Sequence, residues 1–203
     1  HSFEVHEKTS FCYLKFTESL FRKDGNIQEK AKWMQRIESY AALRYDSILA
    51  CADEDLSFFR NRSPQPDSVR MVANGIDPAR YQKPHPESSA IRQQLGLTAE
   101  DRLIVFSGSR FQPNLEALAR LETYCRIHQQ FLKDSRVYFL ILGSLTAAPA
   151  RDGQLIYTGP VADTLPYFQA ADAAFNPVTT GSGSNVKIFE YLASQKPILS
   201  TAF

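Results

Sequence analysis

The chain has 203 residues, a formal net charge of +1 and an apolar fraction of 43%. That is enough apolar material for a packed core, which excludes global disorder, and its interspersed charges lack the clustered Lys and Arg that nucleic-acid binding draws on. Three scattered cysteines without Cys-x-x-Cys or Cys/His spacing argue against a disulfide framework or structural zinc, and no apolar run reaches the ~18–20 residues of a membrane span.

Residues 9–23 begin with Thr9-Ser10 as a cap and place Phe11, Leu14, Thr17 and Phe21 at helical spacing, predicting a core-facing helix. Asp24-Gly25-Asn26 is a turn. A second helical pattern runs over 27–45, with Ile27, Ala31, Met34, Ile37, Ala41 and Ala42 on one side. Asp46–Ala52 is short and apolar, as a buried parallel strand would be. Asp53 opens a short helix through Phe59; the acids Asp53, Glu54 and Asp55 read as a helix first turn rather than as a catalytic cluster. Val69–Val72 is a strand, closed by the turn signal Asn74–Pro78. Residues 79–90, with Pro84, Pro86 and paired serines, read as a linker. A helix over 88–95 ends at Gly96, a C-cap residue.

A regular alternation follows. Arg102–Ser107 is a strand, 113–131 a helix, Val137–Leu142 a strand ending in Gly143, and Leu155–Tyr157 a short strand. Asp163–Ala170 is a helix, Ala171–Asn176 a strand, and Pro197–Ser200 a last strand after one more helix. Strand and helix alternating with short loops predict a doubly wound parallel sheet with ligands at the carboxyl ends of its strands. The first residue is His rather than Met, and the last strand has no helix after it to cover the sheet. Both ends are therefore expected to be cut from a longer chain.

The loop and helix before that last strand, GSGSNVKIFEYLASQKP from Gly181, carry the most chemistry. Gly181 and Gly183 let backbone approach a ligand, Ser184 is a natural N-cap, and the helix start carries partial positive charge. Lys187 beside that helix end makes an anion site suited to phosphate, and Glu190, one turn on, is placed to accept from sugar hydroxyls. On a helical wheel, Val186, Ile188, Phe189, Leu192 and Ala193 form the packing face, with Lys187, Glu190, Tyr191 and Ser194 opposite. A P-loop fails on the spacing of Gly183 to Lys187, and a GxGxxG fails because position 186 is Val. The bland alternative is an ordinary capped helix with a surface Lys–Glu pair.

Read together, the segments resemble the retaining family-four glycosyltransferases of GT-B fold. Val72–Asp77 (VANGID) resembles the family's hand-over between domains, Phe106–Ser109 with Pro113–Leu118 its first nucleotide-domain strand, glycine turn and helix, and Gly159–Asp163 with Tyr167 and Pro177 the stretch over the base. Gly181–Thr201 resembles the terminal G-x-G…K-x-x-E signature. The resemblance implies two Rossmann-like doubly wound α/β domains, both incomplete here: 1–78 from the acceptor side, 79–98 a linker and connecting helix, and 99–203 the nucleotide-sugar domain. It implies transfer of a sugar from a UDP- or GDP-sugar to an acceptor hydroxyl on a glycan or lipid-linked molecule, with no metal or cofactor. Lys187 would then bind diphosphate and act in catalysis, and Glu190 would hold the ribose. Gly108, Ser109 and Arg110, with Gly181, Ser182, Gly183, Ser184 and Asn185, would line the nucleotide. His1, in His1-Ser2-Phe3-Glu4, would lie near the reacting sugar. A cytoplasmic location is implied, with peripheral contact at the inner membrane face through parts not in this chain.

The sequence also departs from the family. Gln112-Pro113 stands where a phosphate-binding Lys is usual, Arg110 is shifted by about one position, and Ser182 stands where a second Glu is usual. These departures keep a non-catalytic nucleotide-sugar-binding module in view. An epimerase would need acid/base carboxylates and histidines, and His6, His85 and His128 are scattered.

Overall fold

The computed structural model describes residues 27–179 and 186–201. The expected helix over 9–23 and its turn lie outside them. The chain divides after Ala73 into two compact units, His1–Ala73 and Asn74–Phe203.

In the first unit, helix α1 (Ile27–Arg44) leads to strand β1 (Ile48–Ala50), helix α2 (Asp53–Arg60) and strand β2 (Val69–Met71). The strands pair in parallel, Ile48 with Val69 and Ala50 with Met71. Three acids open α2 and Arg60 closes it, so both ends suit the helix dipole. Arg60 Nε also donates to the Val69 carbonyl at 3.2 Å, tying the helix to β2. Ala50 and Val69 are buried but Leu49 and Met71 are exposed. The expected buried strand is therefore shorter than Asp46–Ala52 and covered on one face only.

In the second unit, two short helices come first, α3 (Ala79–Gln82) and α4 (Ser88–Gln94). Residues 79–98, expected as a linker, are folded onto this unit: Tyr81 is buried in its core, and Gln169 accepts from the His85 N–H at 2.6 Å. Gly96 does end α4, at φ 67°, with the Leu97 N–H turned back to the Arg92 carbonyl.

Strand β3 (Arg102–Ser107) and β4 (Val137–Leu142) form the centre of a six-stranded sheet. Between them, α5 (Gln112–Ile127) and α6 (Gln129–Asp134) replace the single helix expected over 113–131. The break is at His128, which leaves helical geometry and stacks on Tyr124 at 4.4 Å, while the turn brings Leu132 into the core. Strand β5 (Ala150–Asp152), β6 (Leu155–Gly159), α7 (Leu165–Ala170), β7 (Ala173–Asn176), α8 (Val186–Ala193) and β8 (Ile198–Ser200) complete the unit. Just before α7, Asp163 accepts the Leu165 N–H at 2.9 Å in an Asx turn that leads into the helix.

The order across the sheet is β5-β6-β4-β3-β7-β8, parallel except for the β5–β6 hairpin. Neither periodicity nor apolar content announces β5, which is wholly exposed and turns at Gly153 with φ 55°. The sheet's two faces are buried against separate cores. Leu103 and Val105 point to one, with Phe168 and Tyr191; Ile104 and Phe106 point to the other, with Leu118 and Leu121. Cover on both faces is why β3 and β4 are unbroken apolar runs rather than alternating ones. From β3 the chain winds through β4 and β6 one way, then through β7 and β8 the other. The reversal opens a crevice at the carboxyl ends of β3 and β7.

Candidate functional site

At the carboxyl end of β3 the backbone is bare. Gly108 donates its N–H to the Leu142 carbonyl at 3.0 Å. A Cβ there would come 3.1 Å from the Asn114 amide and 3.2 Å from Leu145. Gly143, after β4, has φ 101°, and a Cβ on it would lie 2.8 Å from the Gly108 oxygen. A side chain is thus excluded at Gly143 and crowded at Gly108, at two adjacent strand ends. Ser109 and Arg110, next in the turn, are exposed.

Three residues past Ser109, α5 begins at Gln112 with Pro113 in its first turn, and its amino end carries partial positive charge toward this turn. Asn114 follows, buried on the same stripe as Ala117, Leu118, Leu121 and Cys125. Its Nδ2 donates to the Ser109 carbonyl at 3.1 Å, and its Oδ1 accepts from Lys187 Nζ at 2.7 Å. The ammonium also sits 5.0 Å from the centre of the Phe106 ring. None of the ion pairs among the described residues involves Lys187. Burial without a countercharge pushes its amine down to about 8.

Tyr191 fixes this arrangement. Its hydroxyl accepts the Ser107 N–H at 2.8 Å and donates to Ser107 Oγ at 3.2 Å. Its ring meets Phe168 edge-on at 5.5 Å. Burial pushes the phenol up to about 12, so it stays neutral. Because α8 is pinned through Tyr191 to the last residue of β3, Lys187, one turn earlier on the same face, must lie over the strand end.

Glu190 is half-buried. Burial pushes its carboxyl above the usual carboxylate range, against a hydrogen bond from the Tyr81 hydroxyl at 3.3 Å and the Arg80 charge; Asp163 adds to the upward push.

The packing face of α8 is a correction to the helical wheel. Tyr191 is fully buried and Ser194 is 8% exposed, whereas Val186 is 50% and Leu192 59% exposed. The packed side takes in Ile188 and Ala193, as expected, together with Tyr191, Ser194 and the half-buried Lys187 and Glu190. The wheel counts apolar residues; the tyrosine hydroxyl and the lysine stem find their partners on the sheet end, and that outweighs two outward aliphatic chains. The Lys–Glu surface pair is excluded by the same geometry, since the two charges are not paired with each other.

Of the sequence-expected residues, Gly108 and Lys187 both adjoin Asn114 at the end of β3, and Glu190 follows one turn along α8 against Tyr81. His1 and the loop Gly181, Ser182, Gly183, Ser184 and Asn185 lie outside the described residues. Asn114, Tyr191 with Ser107, and Tyr81 were not singled out by sequence. An amide in an otherwise apolar helical stripe was the available signal for Asn114. For Tyr81 there was none, since its partner is 109 residues away. Among the described residues no group of three or more His, Cys, Asp or Glu could hold a metal ion. No described helix is long and apolar enough to cross a membrane. The crevice offers a cation with no ion pair among the described residues, two glycines at strand ends and a carboxylate one turn away. Chemically it suits a ligand with an anionic group beside hydroxyls.

A family model described as glycosyl transferases group 1 matches residues 101–203, half of the chain. No curated protein matches the sequence. Among solved structures, HepE of Anabaena in complex with UDP and glucose is 18% identical with a TM-score of 0.58, over 82% of this chain and 47% of that one. WaaG, a glycosyltransferase involved in lipopolysaccharide biosynthesis, is 17% identical with a TM-score of 0.58, over 92% of this chain and 54% of its own. A UDP-forming α,α-trehalose-phosphate synthase from Burkholderia vietnamiensis is 14% identical with a TM-score of 0.56, over 81% and 48%. The α/β fold with its parallel sheet is that of these GT-B glycosyltransferase structures. The chain spans about half their length.

Proposed function

The chain belongs to the group 1 glycosyl transferases, and from that premise we propose that the protein moves a sugar from a nucleotide-diphosphate sugar to an acceptor hydroxyl with retention of configuration. The single observation that carries this reading is Lys187: a half-buried ammonium at the carboxyl end of β3, held by the neutral Asn114 and with no paired carboxylate among the described residues. A desolvated cation of this kind lowers its free energy by taking an anion. The UDP bound by HepE supports a uridine diphosphate donor.

In this reading the diphosphate lies on Lys187, with bare backbone at Gly108 and N–H groups of the α5 start and the 181–185 loop around it. Glu190 accepts from the ribose. Catalysis is chiefly electrostatic: as the glycosidic oxygen departs with the diphosphate, Lys187 and the helix end hold the developing charge in place without reorganising. Retention calls for attack on the face the leaving group occupied, and His1 is assigned to that sugar's surroundings. The domain limits, 1–78 on the acceptor side and 99–203 for the nucleotide sugar, belong to the same proposal, as does a glycan or lipid-linked acceptor in surface-polysaccharide assembly.

The test is release of UDP from UDP-sugars with and without an acceptor extract, beside calorimetric titration of UDP into the protein and Lys187→Ala. Acceptor-dependent release, with binding lost in Lys187→Ala, is expected; unchanged UDP affinity in that variant would remove Lys187 from the site. Gln112-Pro113 in the place of the usual phosphate-binding Lys favours one second reading, a non-catalytic nucleotide-sugar-binding module. It predicts binding in the same titration without release.

A further inference from the structure

Glu190 is held from outside its own helix. Tyr81, buried on α3, donates its hydroxyl to Glu190 Oε1 at 3.3 Å. A four-residue helix does not hold itself, and α3 is fastened on several sides. The Asp77 carboxylate accepts the Ala79 N–H at 3.0 Å, and Arg80 pairs with Asp163 at 2.8 Å. Beyond it, the Gln169 amide donates to the Lys83 carbonyl at 2.8 Å while its oxygen takes the His85 N–H at 2.6 Å. The Tyr81 phenol therefore reaches Glu190 from a fixed base. A glutamate on a helix surface has three rotatable bonds and would otherwise lose that freedom only on binding.

We propose that Tyr81 is a positioning residue: its hydroxyl fixes the Glu190 carboxylate in the orientation that accepts the vicinal hydroxyls of a nucleoside diphosphate. The inference rests on the nucleotide-sugar reading above and names the device that orients its ribose contact. The charge balance agrees with the geometry. The groups facing Glu190 are Tyr81, Arg80 and Asp163; burial and Asp163 favour the protonated acid, while the phenol and Arg80 favour the carboxylate. Without the phenol, the carboxyl takes up its proton at higher pH, and a protonated acid is a poorer acceptor for ribose.

The experiment is titration of the protein and Tyr81→Phe, which keeps the ring, with UDP, its 2′,3′-dideoxy analogue and pyrophosphate, each across pH 4.5–8. We expect Tyr81→Phe to weaken UDP about three- to tenfold. Pyrophosphate and the dideoxy analogue should be unaffected, and the acid limb of UDP binding should move to higher pH. In a Glu190→Gln background the same substitution should have no further effect. Equal losses for UDP and pyrophosphate would mean general loosening and overturn the proposal. An unaltered UDP affinity would do the same, as would an effect that persists with Glu190→Gln. Wild-type protein that binds neither UDP nor pyrophosphate would instead overturn the nucleotide-sugar reading itself, and this inference with it; that result is distinct from a silent Tyr81→Phe.

Discussion

Strand β3 has a cluster of charge at each end, and the two clusters differ in kind. At the amino end, Asp101 accepts from the Thr98 N–H at 2.6 Å and from Arg136 Nε at 3.0 Å, and Arg136 also pairs with Glu100. Beside it, Asp172 takes the Leu103 N–H at 2.7 Å and pairs with Arg92 at 3.2 Å. Arg92 and Arg136 there each meet an acid. At the carboxyl end, the half-buried Lys187 lies against Phe106 and donates to an amide, with no ion pair among the described residues. In the proposed reading, a half-buried cation held by an amide, with no ion pair among the described residues, marks the second end for a ligand. Electrostatic design separates scaffold from site more sharply here than residue type does.

Lys187→Met tests the contrast hardest. It should weaken UDP about a hundredfold, the loss of charge-assisted hydrogen bonds to a diphosphate, and at the same time raise the melting temperature of the free protein. The sign follows from linkage. The folded-state amine titrates at about 8, below its ordinary 10.5, so the folded state bears the cost of a buried charge below pH 8 and sheds it above. Wild-type stability should thus rise between about pH 8 and 10.5, closing the gap to Lys187→Met. A variant that is less stable at pH 7 would put Lys187 in the scaffold class.

Asp101→Ala should do the reverse. The carboxylate's hydrogen bonds from Thr98 and Arg136 are lost, and water can reach those exposed donors, so stability falls by about 1–2 kcal/mol in denaturant unfolding, with UDP affinity unchanged. The hydrogen bonds from Thr98 and Arg136 hold the Asp101 carboxyl below its usual range. Its contribution is therefore present above pH 3.8 and is lost as pH falls through the lower folded-state value, a loss absent from the variant. A matching loss of UDP affinity would show that the two ends of β3 are not independent.

A smaller effect comes from pH on binding. Diphosphate favours the protonated amine, so UDP affinity should hold to about pH 8 and then fall by up to about tenfold per unit, until the raised pKa of the complex is reached. A flat profile from pH 7 to 9.5 would remove the uncompensated cation from recognition. Smallest of all, Leu192→Ala should change stability by less than about 0.5 kcal/mol, because the residue faces out. A core-sized loss would restore the face assigned by the helical wheel.

The sequence by itself determined the unbroken apolar runs of β3 and β4, the glycine turn after β3, the cap at Gly96 and the alternation that makes a doubly wound sheet. These are local: each depends on residues a few positions apart and on backbone preferences that travel with residue type. It also marked Lys187 and Glu190, one turn apart on α8. Only the tertiary structure decided which way that helix faces, because Tyr191 is turned inward by the end of a strand 84 residues earlier. It decided as well that Asn114 holds the lysine across 73 residues and Tyr81 the glutamate across 109. The reversal of winding at β3 and β7 brings those partners together. Hydrophobic periodicity records what can be buried; which polar atom finds its complement at such a distance depends on where the chain has turned in between.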